Sequence, residues 1–187
     1  MILFVNACVR KDSRTKRLAD ALLEELGGDV EEVKLWEEDL PLADEAFLAE
    51  RDRLINAGDH GCPMFALARQ FARADIIVMA APYWDLSFPA VLKQYIEQIN
   101  VLGITFEYTE DGFPKSLCRA EKLYYVMTAG GCYVPEEYGY GYVKELAGSF
   151  YGIRETRLIK ALGLDIAGAD PESILTEAIS SIKGMVL

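Results

Sequence analysis

Residues Ile76-Ile77-Val78-Met79-Ala80 form an unbroken apolar run between Asp75 and Ala81. A strand with one wet face alternates apolar and polar residues. A run apolar at every position suits a parallel strand buried on both faces. Covering both faces requires helices above and below the sheet, and the rest of the chain supplies them. Met1–Val5, Glu32–Trp36, Asp75–Ala81, Leu123–Thr128 and Leu158–Leu164 read as strands. Arg14–Leu26, Asp44–Ala57, Pro63–Ala74, a segment starting near Pro89 and a segment capped by Asp170 read as helices. In the first helix Leu18, Leu22 and Leu26 share one face, and Gly27-Gly28 end it. The helix from Pro89 presents Leu92, Tyr95, Ile96 and Ile99, with proline suited to a first turn. Strands separated by helices imply an α/β fold: a doubly wound, five-stranded parallel sheet with right-handed crossovers and helices on both faces. Residues 1–187 are read as one domain, with a small hairpin or loop insertion at about 103–121 around Phe106-Glu107-Tyr108 and Glu110-Asp111-Gly112.

The chain has 30 acidic and 19 basic residues, a net charge of −11. Such a surface repels nucleic acid and anionic membrane, so neither is expected as a partner. Cys8, Cys62, Cys118 and Cys132 form no CxxC pair, and His60 is the single histidine, so no metal site is expected. The chain opens on a strand-like run with no basic or long apolar leader, and no apolar run reaches membrane-spanning length. A cytoplasmic protein with free thiols is the expectation.

In a doubly wound sheet, ligands lie beyond the carboxyl ends of the strands, which points to the loops after Val5, Ala81 and Thr128. The first loop, residues 10–17, reads Arg-Lys-Asp-Ser-Arg-Thr-Lys-Arg: five cations within eight residues of an acidic chain. Arg14, Lys16 and Arg17 crowd a helix N-terminus, whose partial positive charge favours acids. A phosphate would remove that conflict, accepting from free backbone N–H groups and from Ser13 and Thr15. The alternative is a solvated basic face with Ser13 as an ordinary cap. The second loop, Ala81-Pro82-Tyr83-Trp84-Asp85-Leu86, offers two aromatics that border a flat ring or close off the core. The third, Thr128-Ala129-Gly130-Gly131-Cys132-Tyr133, allows close backbone approach to a ligand, or is a plain turn. Tyr133, Tyr138, Tyr140, Tyr142 and Tyr151 cluster beyond it, as an aromatic rim, a dimer contact or ordinary helix packing.

These three motifs, in this order and spacing, resemble the flavodoxin-like NAD(P)H:quinone oxidoreductases and FMN-dependent azoreductases over essentially the whole length. The motifs are Asn6-Ala7-Cys8-Val9-Arg10 leading to Ser13-Arg14-Thr15, Ala81-Pro82-Tyr83-Trp84-Asp85 continuing to Pro89, and Thr128-Ala129-Gly130-Gly131 with Tyr133. The resemblance implies FMN as cofactor, with NADH or NADPH as donor and a small quinone, azo or similar aromatic acceptor, in ping-pong order. It implies phosphate contacts from Arg10, Ser13, Arg14 and Thr15. It implies ring and ribityl contacts from Pro82, Tyr83, Trp84, Asp85 and Leu86, and ring-edge contacts from Thr128, Ala129, Gly130, Gly131 and Tyr133. It also implies a homodimer with the site at the subunit boundary. The flavin carries the chemistry, and no protein acid or base is assigned. The azoreductases often have Met-Tyr-Asn-Phe in place of Tyr83-Trp84-Asp85-Leu86, so Asp85 puts a negative charge near the flavin unless it turns away or pairs. A flavodoxin-type electron carrier and a non-enzymatic flavin sensor are the alternatives from other functional classes.

Overall fold

The computed structural model describes residues 1–186, with side chains as far as residue 184. Five strands build the main sheet: β1 (Ile2–Asn6), β2 (Val30–Lys34), β3 (Ile76–Ala80), β6 (Lys122–Thr128) and β7 (Glu155–Ala161). They pair in parallel in the order β2-β1-β3-β6-β7. The order reverses at β1, so the neighbouring carboxyl ends of β1 and β3 form the switch point of a doubly wound sheet.

The apolar runs fill two cores. Leu3, Val5, Ile77, Met79, Leu123, Tyr125 and Met127 face one side, and Ile2, Phe4, Val78, Ala80, Tyr124 and Val126 the other. The first side is covered by α3 (Ala66–Arg73), α4 (Ala90–Ile99) and α5 (Gly139–Ser149), through Phe71, Leu92, Tyr95 and Val143. The second is covered by α1 (Arg14–Leu26) and α6 (Pro171–Val186), through Leu18, Leu22, Leu175 and Ile182. Helix α2 (Glu45–Asn56) seats Leu54 in a smaller cluster with Phe65 and Ile104. A strand buried on both sides therefore shows no alternation, as the sequence implies.

Local chemistry sets the helix ends. Ser13 caps α1, its hydroxyl accepting from Lys16 N, and Gly27 at φ 61° ends it by donating to the Leu23 carbonyl. Asp44 caps α2 through Phe47 N, and Asp170 caps α6 through Glu172 N and Ser173 N. Pro89 takes the cap position of α4 rather than its first turn. Pro63–Phe65 is a 3-10 turn ahead of α3, so the expected single helix over 63–74 is split. The segment 103–121 carries an antiparallel hairpin of β4 (Phe106–Tyr108) and β5 (Pro114–Ser116).

Strands β2 and β7 begin two or three residues earlier than the apolar pattern implies. Both are edge strands: β2 opens on an exposed valine, Val30, followed by Glu31-Glu32, and β7 on Glu155-Thr156-Arg157, so their amino ends carry no continuous apolar signal.

Two buried tyrosines give a test. The Tyr151 hydroxyl donates to Asn100 Oδ1 at 2.8 Å, whereas the fully buried Tyr95 hydroxyl has no protein partner among the described residues. Removing a bonded hydroxyl strands its acceptor, and removing an orphan does not. Tyr151→Phe is expected to cost about 1–2 kcal/mol in urea denaturation. Tyr95→Phe is expected to leave stability unchanged or raise it.

Candidate functional site

Four loops meet at the carboxyl edge of the sheet and line a cleft of about 170 Å³. The first follows β1. Asn6 ends the strand with its side chain buried, accepting from Cys8 N at 2.9 Å and donating to Glu32 at 2.8 Å. That bracing turns the chain out of the sheet and carries Arg10, Ser13, Arg14 and Thr15 onto the cleft wall.

The crowded cations of this loop are paired in the folded chain. Arg14 donates to Asp165 at 2.7 Å and to the Leu164 carbonyl at 3.1 Å. Lys16 pairs with Asp20, and Arg17 makes a two-pronged bridge to Glu172. Carboxylates from α1 itself, from the loop after β7 and from α6 therefore offset much of the unfavourable charge at the N-terminus of α1. The dipole conflict read from the sequence does not by itself require an anion. Arg10 is the cleft-lining cation with no carboxylate partner among the described residues.

The third loop is where the donors converge. The carbonyls of Ala129, Gly130 and Gly131 accept from the N–H groups of Leu164, Asp165 and Gly163, at 3.2, 3.0 and 3.1 Å. In a trans peptide the next N–H points opposite to the carbonyl. The N–H groups of Gly130, Gly131 and Cys132 thus turn away from the loop after β7, and none donates to a protein acceptor among the described residues. Successive amides turned to one side form a concavity that attracts negative charge. A Cβ at Gly130 would meet the Asp165 carboxylate, so a side chain there would displace Asp165 from its present position. Gly131 has open space around it, and Tyr133 is 79% exposed and stands clear of the cleft lining.

In the second loop, Pro82, Tyr83 and Trp84 line the cleft, and Tyr83 N donates to the Thr128 carbonyl at 3.0 Å. The Tyr83 hydroxyl is screened from water and has no protein partner among the described residues. Desolvation raises its pKa, helped by the nearby phenols of Tyr133 and Tyr138. Trp84 and Ser87 exchange both backbone hydrogen bonds, and between them Asp85 and Leu86 take φ values of 51° and 68°. This is a tight reverse turn of the kind that favours Asn-Gly or Asp-Gly; Asp85 suits its first position, and Leu86 stands where glycine is preferred. Asp85 and Leu86 consequently border a second, larger hollow of about 480 Å³ with Phe88, Tyr138 and Tyr142. The tyrosines thus divide: Tyr140 and Tyr151 pack into the fold, Tyr138 and Tyr142 stand exposed at that hollow, and Tyr133 is exposed outside both linings.

The donor set fits a flavin mononucleotide: hydroxyls of Ser13, Thr15 and Thr128, one free arginine, unpaired loop amides and aromatic walls at one cleft. Leu164 and Asp165, also on the wall, are not among the residues expected from the sequence. The signal for them was Gly163-Leu164-Asp165 following a strand, concealed because the apolar pattern runs the strand on to Leu164.

A doubly wound sheet with a phosphate-compatible cleft at its switch point defines a mononucleotide-binding α/β protein. The profile of the flavodoxin-like fold family matches residues 1–185. The chain is 35% identical over 195 residues to FMN-dependent NADH:quinone oxidoreductase 2 of Clostridium acetobutylicum, covering 97% of this chain and 96% of that protein. It is 34% identical to the FMN-dependent NADH:quinone oxidoreductase of Clostridium beijerinckii, covering 97% and 96%. Among solved structures, an azoreductase from Bacillus anthracis str. Sterne superposes with a TM-score of 0.84 at 25% identity, covering 99% and 97% of the two chains. An FMN-dependent NADH-azoreductase from Bacillus anthracis str. Ames Ancestor, solved in complex with FMN, shares the fold with a TM-score of 0.82 at 22% identity, covering 99% and 96%. The chain belongs to the flavodoxin-like family that holds these quinone reductases and azoreductases.

The chain's thiols differ in exposure, and of Cys8, Cys118 and Cys132 only Cys8 lines the cleft. Burial pushes Cys8 up to about 11 and Cys118 up to about 12, whereas Cys132 is exposed. At pH 8 the native protein is expected to titrate Cys132 rapidly with a disulfide reagent, with Cys8 and Cys118 reacting only after unfolding. Mass spectrometry of the labelled peptides checks the order.

Proposed function

We propose that this chain is an FMN-dependent oxidoreductase that passes electrons from NADH or NADPH to a quinone, azo or similar small aromatic acceptor. The match along nearly the whole chain to a relative named FMN-dependent NADH:quinone oxidoreductase carries this reading. The cleft supports it, because its free donors and aromatic walls suit the two ends of one flavin.

When bound, FMN supplies the hydride and electron-transfer chemistry. The protein's part is binding, orientation and charge. Arg10, Ser13, Arg14 and Thr15 hold the phosphate end, the hydroxyls and first-turn amides donating while the arginines offset charge. Pro82, Tyr83 and Trp84 border the ring. The amides of Gly130 and Gly131 stabilise negative charge at the polar ring edge, since they are already aimed and cost no reorganisation. Thr128 and Ala129 set the position of those amides. Asp85, Leu86 and Tyr133 serve the rim, where the acceptor and a second copy of the chain meet the ring. Donor and acceptor use that place in turn, which gives ping-pong kinetics. The second copy covers Leu86, Tyr138 and Tyr142, which are exposed in the single chain. The four free thiols suit a reducing cytoplasm.

Reconstitution tests this reading. The purified protein is expected to bind FMN one to one, lose its flavin absorbance on anaerobic NADH addition, and regain it with a quinone. Failure to bind flavin would exclude the function, and bound flavin without turnover would make the chain a carrier or sensor. Arg14→Ala is expected to weaken FMN binding by about tenfold or more, from loss of a charge-assisted hydrogen bond. The same change is expected to cost under about 1 kcal/mol of stability, since its partner Asp165 is 63% exposed. Ser13 is a poorer probe, because its hydroxyl also caps α1.

A further inference from the structure

Two carboxylates stand on the wall of a cleft read as the seat of a phosphate: Asp12 and Asp165. Asp165 is held there by three independent features. Its backbone N–H donates to the Gly130 carbonyl at 3.0 Å, its carboxylate pairs with Arg14 at 2.7 Å, and it fills the space a Gly130 side chain would need. Its backbone is thus set by the fold, and its carboxylate, 63% exposed, is held at the wall by Arg14.

The charge count at the wall follows directly. Arg10 and Arg14 face Asp12 and Asp165; of the loop's other cations, Lys16 is bonded to Asp20 and Arg17 to Glu172, and Lys11 is exposed outside the cleft lining. The lining side chains sum to no net charge, in a protein that carries −11 overall. A dianion entering this cleft meets Arg14 only in competition with a carboxylate already bonded to it. Attraction must then come from hydroxyls and loop amides rather than from net positive charge.

We propose that Asp165 is a built-in counter-charge that weakens the cleft's hold on the phosphate group of its ligand and so keeps the cofactor exchangeable. This rests on the FMN reading above. Asp165 is a specificity-determining residue on this account. Without its charge the cleft discriminates more strongly in favour of the phosphorylated flavin over the same flavin lacking phosphate.

Asp165→Asn isolates the charge, because the amide oxygen still accepts from Arg14 and the side-chain shape is kept. Flavin fluorescence quenching gives dissociation constants for FMN and for riboflavin with the apo-protein. D165N is expected to bind FMN about three- to tenfold more tightly than the unaltered chain at low salt, from removal of one like charge near the phosphate. Riboflavin affinity is expected to stay the same, FMN release to slow, and inorganic phosphate to compete against FMN at lower concentration. The affinity of D165N for FMN should also fall more steeply with added salt. If D165N leaves the FMN to riboflavin ratio unchanged, or lowers it, Asp165 instead serves to orient Arg14 and the proposal is overturned. If the unaltered protein binds neither flavin, the FMN reading itself fails, and this proposal with it.

Discussion

A buried hydrogen bond between two hydroxyls holds the site together. Thr15 in the first turn of α1 and Thr128 at the end of β6 meet at 2.6 Å, both buried. The bond ties the first loop to the third across a span of 113 residues. Two hydroxyls bring two protons and use one between them, so one proton remains to be donated elsewhere. Both threonines line the cleft, which gives that second proton a use. The same contact fixes where α1 begins relative to the sheet edge, and hence where Ser13 and Arg14 stand.

The central strands were legible in the sequence because burial on both faces writes itself as an uninterrupted apolar run. Leu3, Val5, Ile77 and Met79 face one core while Ile2, Phe4, Val78 and Ala80 face the other, so no polar position interrupts the pattern. Edge strands carry less information. Only Val33 of β2 is fully buried, and β7 opens on half-exposed charged residues. The displaced end of β7 is what hid Leu164 and Asp165, since the pattern absorbed part of their loop into a strand. The partners of Arg14 and Arg17 lie 151 and 155 residues away, beyond any local reading. That is why the basic loop looked more unbalanced in the sequence than it is in the fold. The direction of Asp85 was equally hidden, because its neighbours Tyr83 and Trp84 face the cleft and only a left-handed turn takes Asp85 elsewhere.

That turn is an expensive piece of backbone. Asp85 tolerates left-handed backbone, but a leucine held there costs of order 1–3 kcal/mol, and such strain gathers where function needs an unusual direction. Here it separates two surfaces within four residues. Trp84 belongs to the polar cleft, and Leu86 belongs to the apolar hollow with Tyr138 and Tyr142. A relaxed turn would splay the chain and merge the two.

The lacing of residues 129–131 by residues 163–165 has a consequence in time as well as in space. The amides of Gly130 and Gly131 are aimed only after the segment beyond β7 has bonded to the carbonyls of the third loop. During synthesis from the N-terminus, the phosphate end of the cleft exists as sequence once Thr15 has emerged. The concavity formed by those amides waits for residues 163–165 to be made and docked. A nascent chain therefore passes through a long interval in which it has the basic first loop but no completed cleft.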